Sequence, residues 1–384
     1  MFIKKINFYN YNYYSSFITQ NQQMNSSIKF QPSFVIPKLN KSNILYFTSN
    51  IKDSPNKRYN LNNKTILLTG GTGTIGNYII EELFKNYNPK KVIIFSRDEM
   101  KQHTMKIQNK DNKRLEFVIG DVRNFEALNR AFRNVNVVIH AAAMKHVPIC
   151  EENPEEAVLT NILGAKNIIN AAINNNVDRV FAISSDKASS PTTLYGATKF
   201  VSEKLFNHAN TYTDNCGTKF SCVRLGNVLG SRGSIIPVFK EQSKNGNLKV
   251  TDPEMTRFFM TPKQASDLIL SSVEIMNGGE IFVPKLKTTR IMALAKRIAP
   301  DKDIDIVGIR QGEKLSEEFI SDVDAKSSIE LDDRYVIMQP DQFNKYNEIW
   351  KNAKQVPKDI NYNSSNEKYM MSDKDLDELI SQYN

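Results

Sequence analysis

Cysteine is scarce in this chain: Cys150, Cys216 and Cys222 stand apart among 384 residues, with no Cys-x-x-Cys pair and no His/Cys cluster at metal-ligand spacing. That excludes a disulfide framework and a structural zinc site, and it fits a reducing compartment. Cys222 sits in an apolar run and reads as a small buried hydrophobe. Long apolar runs are also missing; none approaches the ~20 residues that a membrane span needs. Acid is absent from the start, since no Asp or Glu precedes Asp53 while Lys4, Lys5, Lys29, Lys38, Lys41 and Lys52 do. An acid-free, basic, Ser-bearing leader over 1–60 suggests an organelle transit peptide, yet no Arg occurs before Arg58, and a disordered tail of biased composition is the alternative. The expected location is cytoplasmic, or mitochondrial or another organelle if that leader is an address. Basic runs are absent too. The net charge of +9 is dispersed, without an aromatic-interleaved patch, which argues against nucleic acid and leaves the leader and an anionic small molecule to account for the excess. No internal repeat is present.

What is there is ordinary globular composition, 40% hydrophobic and 24% charged, over a length that allows two or three domains. From Lys64 the texture changes. Thr65–Thr69 (TILLT) reads as a buried strand, and GGTGTIG follows, with Gly70, Gly73 and Gly76 spaced by Thr72, Thr74 and Ile75. A helix from Asn77 to about Phe84 comes next. Strand, glycine turn, helix is the context of a dinucleotide site: the first Gly for the tight turn, the next for backbone approach to a pyrophosphate, the last for helix–strand packing. A second strand, Val92–Phe95, ends in Ser96 and Arg97 with Lys101 one turn on. An acid there would hold the ribose hydroxyl of NAD, whereas these residues suit the 2′-phosphate of NADP. Asp98 lies one place too late and reads as a helix cap.

Strand Leu115–Ile119 leads to Asp121, which has two readings, acceptor for the adenine amino group and N-cap of a helix over Phe125–Phe132. Strand Val137–His140 ends in Ala141, Ala142 and Ala143, small enough for a flat ring or pyrophosphate to lie against backbone; Lys145 and His146 follow, and Lys145 is the better ligand candidate. A helix from about Pro154 to Asn174 contains Asn161, read as a packing or backbone-bridging amide. Strand Arg179–Ile183 then delivers Ser184, Ser185, Asp186 and Lys187, an acid and a base side by side. Tyr195 and Lys199, four apart on a helix over about Leu194–Ala209, share one face, so the ammonium is expected to pull the phenol down from about 10. Strand Lys219–Arg224 closes the series. Six alternations of strand and helix call for an α/β fold with a doubly wound, Rossmann-type parallel sheet, and every polar cluster falls at the carboxyl ends of its strands. The pattern breaks in the Gly- and Ser-rich loop Gly226–Ser234, which holds Asn227 and Arg232 and suits a diphosphate or a sugar. A helix over Pro237–Gly246, a polar patch from Thr251 to Phe258 and a strand over Glu280–Val283 follow. Next come a helix over Met292–Ile298 and Arg310 and Glu313 across a Gly turn. The expected layout is a leader over 1–60, a cofactor domain over 61–230, a smaller mixed substrate region over 231–334 and a peripheral appendage over 335–384.

Together FSRDE, GDVR, HAAAMKHVPICEENP, SSDKA, YGATK, RLGNVLGSRGSIIP, TDPEMTRFF, GGEIFVPK, GIRQGEKL and YNSS, in one order after GGTGTIG, resemble the inverting UDP-N-acetylglucosamine 4,6-dehydratases of the extended short-chain dehydrogenase/reductase superfamily. In retaining relatives the Tyr of YxxxK is usually Met, so Tyr195 favours the inverting branch. Ser185 departs from the family's usual Thr but keeps the hydroxyl. The resemblance implies NADP as cofactor, a UDP-N-acetylglucosamine substrate and a homo-oligomer, with no metal. It implies that Tyr195, with Lys199, takes the C4 hydroxyl proton through Ser185; that Lys187, with a depressed pKa, removes the C5 hydrogen; and that Asp186 protonates the departing C6 hydroxyl. Val122 and Val228 would line the cofactor site. Lys145, Asn227, Arg232, Gly233, Ser234, Thr251, Arg257, Arg310 and Glu313 would hold the UDP-sugar. A UDP-hexose 4-epimerase or a retaining dehydratase is the nearest rival, although an epimerase needs no Asp-Lys pair; a cofactor-binding protein without turnover is the distant one.

Overall fold

The structure, a computed structural model, describes residues 58–382 except 214–216, 232, 345 and 352. The proposed leader therefore lies almost wholly outside the described residues, and Arg232 does so entirely. From Thr65 the chain alternates as expected: β1 (Thr65–Thr69), α1 (Thr74–Asn86), β2 (Lys91–Ser96), α2 (Glu99–Gln108), β3 (Leu115–Ile119), α3 (Phe125–Ala131), β4 (Val137–His140), α4 (Val147–Glu152), α5 (Pro154–Val158), α6 (Gly164–Asn174), β5 (Arg179–Ser185), α7 (Leu194–Ala209) and β6 (Lys219–Leu225). The inner strands are short and mostly apolar because helices cover both faces of a parallel sheet; β1 is buried at all of its positions, whereas the edge strand β3 is partly exposed. The helix α1 begins directly at the glycine turn, three residues earlier than the periodicity suggests, and buries Ile79, Ile80 and Leu83. The single helix expected over Pro154–Asn174 is two helices joined by one π turn, Leu159–Leu163.

The second half is a mixture of short elements. It comprises β7 (Asn227–Val228), α8 (Ile235–Asn245), β8 (Leu248–Val250), β9 (Thr256–Met260), α9 (Pro262–Ile275), β10 (Ile281–Pro284), β11 (Thr288–Arg290), α10 (Ile291–Ile298), β12 (Ile304–Ile306) and α11 (Asp322–Ala325). Then come β13 (Ser328–Glu330), β14 (Arg334–Ile337), α12 (Pro340–Phe343), α13 (Tyr346–Ile349), β15 (Lys354–Gln355) and α14 (Asp373–Ser381). The main sheet has ten strands in the order β15-β13-β14-β10-β6-β5-β4-β1-β2-β3. From β3 to β10 every pairing is parallel, and β14, β13 and β15 extend it antiparallel. The order reverses between β1 and β4, and the crevice outside their carboxyl ends is where such sheets bind ligands.

The C-terminal part also differs from expectation. The residues from Tyr335 are not an appendage: β14 continues the main sheet, and Trp350 and Tyr362 are among its most deeply buried side chains. A capping box of Thr261 and Gln264 opens α9, whose apolar face packs into the main core. A second small core, including Phe239, Val250, Phe259, Leu294 and Leu376, joins α8, β8, β9, α10 and α14. It forms the wall opposite the sheet's carboxyl edge.

Candidate active site

A cleft of about 1130 Å³ runs along that edge. At its cofactor end Gly70 has a φ of +67°, and a Cβ there would lie 2.8 Å from the backbone nitrogen of Ala142. A Cβ on Gly76 would meet the carbonyl oxygen of Gly71 at 2.2 Å, so α1 seats against the turn only through glycine. No side chain caps α1 at Gly73 and no acid occupies its first turn, which leaves backbone donors facing an anion. Thr72, Thr74, Ile75, Ser96, Arg97, Lys101, Val122, Ala141, Ala142, Ala143, Lys145 and Val228 line the same cleft. Asp98 caps α2, accepting from the Lys101 backbone at 3.0 Å, as its position suggested. Asp121 is neither the N-cap nor part of this lining. Asn124 caps α3, while Asp121 is held below the usual carboxylate range: its hydrogen bonds and charge contacts with Arg123, and the Arg97 charge, outweigh burial. It lies 2.7 Å from Arg123 and 3.5 Å from Arg97.

Ser185, Asp186, Lys187 and Tyr195 meet where β5 ends. Asp186 is 1% exposed. Its Oδ1 accepts from Ser185 Oγ at 2.9 Å and from Lys187 Nζ at 3.1 Å, and its Oδ2 is buried without a hydrogen-bond partner among the described residues. Lys187 also lies 3.3 Å from Glu317 Oε1. Burial alone would lower Lys187, but the Asp186 and Glu317 carboxylates outweigh it and hold the ammonium above its ordinary value. This is opposite to the depression expected of a resident base. Tyr195 is likewise not depressed: burial pushes it up to about 12, against the pull of its hydrogen bond with Ser185 and of the Lys187 charge. Lys199 is not the cation that faces it. The Lys199 ammonium donates to the Ile183 carbonyl at 2.6 Å and is itself lowered by burial. Asn161, on the π turn, bridges backbone as expected. It accepts from Met144 N at 2.8 Å, donates to Met144 O at 2.9 Å and to Thr198 Oγ1 at 3.0 Å, and so ties the Ala141–Lys145 edge to the helix of Tyr195.

The far wall brings together Asn227, Gly233, Ser234, Thr251, Arg257, Arg310 and Glu313. Arg310 and Glu313 approach at 3.8 Å across Gly312, which has a φ of +75°. Arg257 borders the cleft, but its guanidinium is nearly buried and donates to the carbonyls of Thr256, Leu315 and Lys314. It braces the wall more than it reaches into the cleft. Ser184 lines the cleft with its neighbours in the polar cluster. Glu317 and Thr160 also line it and were not singled out from the sequence; in GEKLSEE nothing local distinguishes one Glu from its neighbours.

Residues 66–339 match the family model for a polysaccharide biosynthesis protein. The chain belongs to that polysaccharide biosynthesis family. Among its relatives, a Campylobacter jejuni (serotype O:23/36) protein named UDP-N-acetylglucosamine 4,6-dehydratase (inverting) is 44% identical, over 83% of this chain and 98% of its own. A Rickettsia rickettsii member named UDP-glucose 4-epimerase is 42% identical over 71% of this chain and 82% of its own. The X-ray structure of Pen from Bacillus thuringiensis is 38% identical and superposes with a TM-score of 0.78, covering 84% of this chain and 98% of that one.

Proposed function

We propose that this family member is an NADP-dependent UDP-N-acetylglucosamine 4,6-dehydratase that inverts C5. The observation that carries the reading is the Asp186–Lys187 pair, its carboxylate buried and its lysine partly so, 3.1 Å apart and joined through Ser185 to Tyr195. Beside a hydride-accepting cofactor, oxidation at a sugar carbon needs only the phenol from the protein; elimination of a hydroxyl also needs an acid and a base, and this edge holds both. The inverting Campylobacter relative supports the same reading.

The glycine turn, the unblocked start of α1 and Ala141–Ala143 fit a dinucleotide's pyrophosphate and rings. Ser96 and Arg97, with Lys101 held at the same edge by its ion pair with Asp98 at 2.5 Å, fit a 2′-phosphate, hence NADP. When bound there the nicotinamide supplies oxidation at C4 and reduction at C6. The chain's part is proton movement. A phenol at about 12 keeps its proton near neutrality, so Tyr195 acts as base by handing its own proton on as the C4 hydroxyl proton arrives. Ser185, 2.9 Å from Asp186 Oδ1, is the relay. Asp186 thereby becomes the acid required at C6, and its lost charge removes one of two anions that keep Lys187 an ammonium. The Lys187 ammonium then releases a proton to solvent along its 21% exposed side chain, and the resulting amine takes the C5 proton. Arg310, Glu313, Lys145 and Asn227 would hold the UDP portion. Apolar side chains exposed on α5, the π turn and α7 (Val158, Leu163, Phe200 and Val201) suit a homo-oligomer.

The test is incubation with NADP and UDP-N-acetylglucosamine. Loss of one water by mass, with an L-configured C5 by NMR, is expected. An isomer of unchanged mass would favour 4-epimerisation, the activity named for the Rickettsia relative, and would overturn the dehydratase reading.

A further inference from the structure

Glu317 lies outside every motif-based expectation, yet it is 3% exposed and its Oε1 is 3.3 Å from Lys187 Nζ. We infer that Glu317 is a positioning residue that sets the charge and the place of Lys187, and that it does so from the same stretch of chain that carries Arg310 and Glu313. Reading Lys187 as the C5 base rests on the proposed function; the ion pair and its effect on the amine do not.

Several contacts strap residues 312–318 over the loop that follows β5. Thr192 Oγ1 donates to the Gly312 carbonyl at 2.7 Å, Lys314 Nζ donates to the Ser189 carbonyl at 3.1 Å, and Ser190 Oγ donates to Glu318. Ser190 itself takes a φ of +43°, an unusual conformation for a residue with a Cβ, held by this docking. Glu317 is pinned from behind by the C-terminal polar loop. Ser364, fully buried, accepts from Glu317 N at 2.9 Å, donates to the Thr256 carbonyl at 3.1 Å and bonds the Glu317 carbonyl through its own N–H at 2.8 Å. With its backbone fixed on both sides, Glu317 presents a carboxylate to Lys187 without conformational search. The groups facing Lys187 are Asp186, Glu317, Tyr195 and the Arg257 guanidinium, whose Nε is 4.0 Å from Glu317. Lys314 Nζ lies 4.0 Å from Glu317 Oε2. Asp186 is needed as an acid, so Glu317 is the carboxylate that stays charged beside Lys187 once Asp186 is neutral, and it holds the ammonium that forms when Lys187 takes the C5 proton. A nucleotide gripped by Arg310 and Glu313 would thus steady the base through a few residues of chain.

The test needs neither cofactor nor turnover. An amine-selective acylating reagent modifies only the neutral amine, and peptide mass spectrometry reads Lys187 against Lys244, whose side chain is 69% exposed, as internal standard. One carboxylate at this distance shifts a neighbour's pKa by about one unit or more. Glu317→Gln is therefore expected to raise the Lys187-to-Lys244 labelling ratio about tenfold at constant pH. Glu317→Asp, which keeps the charge, should stay near the parent ratio. In the dehydration assay the acid limb of kcat/KM should move down by about one pH unit in Glu317→Gln. An unchanged labelling ratio in Glu317→Gln overturns the inference. A parent protein that labels as expected but removes no water overturns the proposed activity instead.

Discussion

Replacing Lys187 by Met removes the charge while keeping most of the stem, and it perturbs chemistry and stability by separate routes. Without the amine no other group in contact with Asp186 can take a carbon-bound proton. The loss expected for a positioned base is about 10²–10⁴-fold in turnover. The stability effect follows from what is stranded. Asp186 and Glu317 have side chains only 1% and 4% exposed, and Lys187 is the cation within 3.1–3.3 Å of both. Breaking a fully buried pair costs about 3–5 kcal/mol. Here the lysine is 21% exposed and Arg257 remains 4.0 Å from Glu317, so water and a second cation compensate in part. The expectation is about 1–3 kcal/mol, in the range of a charged hydrogen bond. Protonating a stranded carboxylate removes its uncompensated charge, so the deficit is largest near neutrality and shrinks on acidification. Product formation by mass and urea unfolding at two pH values measure both parts. Turnover within tenfold of the parent would refute the base assignment, and equal stability at neutral pH would refute the buried ion-pair argument.

Arg97→Ala should weaken NADP by about tenfold or more, the equivalent of losing one charge-assisted contact, and leave NAD unchanged; titration calorimetry reads both, and equal effects would refute the 2′-phosphate reading. His140 is 2% exposed, meets Thr69 Oγ1 at 2.8 Å and is pushed down to about 3, by burial first and by the Lys199 charge second. The unfolded chain takes up this proton below about 6.5 and the folded chain does not, so stability falls as pH drops through the window from 6.5 to about 3. The contribution is at most about 1.4 kcal/mol per pH unit, and His140→Gln should flatten that part of the urea-derived pH dependence; identical slopes would count against it.

The cofactor half was legible because its signals are local. A buried strand, a glycine turn that admits no Cβ at Gly70 or Gly76, and a helix in immediate succession leave few alternatives, and the alternation up to β6 dictates a parallel sheet. The second half was less legible for a physical reason. The strands β13, β14 and β15 have two to four residues each, too few to show a period, and they are strands only because β10 offers an edge to pair with. Tyr362 looks like part of a polar loop in sequence, but its hydroxyl donates to the Pro284 carbonyl and accepts from Leu286 N at 2.6 Å, so tertiary pairing buries it. The π turn at Asn161 likewise has no pattern of its own.

The reactive pair shows the same division at the level of charge. Asp186 and Lys187 are neighbours in sequence and could be recognised together, and from sequence the base was required to have a depressed pKa. That expectation assumed that the resting protein stores the amine. The structure surrounds Lys187 with two carboxylates, one of them supplied from a distant segment that no local pattern marks, so the resting form is the ammonium. In the proposed cycle the proton that makes Asp186 an acid also weakens the hold on the Lys187 ammonium, which then sheds a proton to solvent. The C5 hydrogen therefore meets no strong base before C4 has been engaged. For an enzyme that forms an acidified carbon between two redox steps, such coupling suppresses exchange at C5 in substrate that has not reacted. Asp186→Asn, which carries no charge at the same place, should therefore raise the Lys187-to-Lys244 labelling ratio in the resting protein, because one of the two anions that hold the ammonium is gone, and should abolish water loss, because no acid remains for C6. A labelling ratio unchanged from the parent in that variant, read by peptide mass spectrometry, would show that the charge on Asp186 does not control the amine.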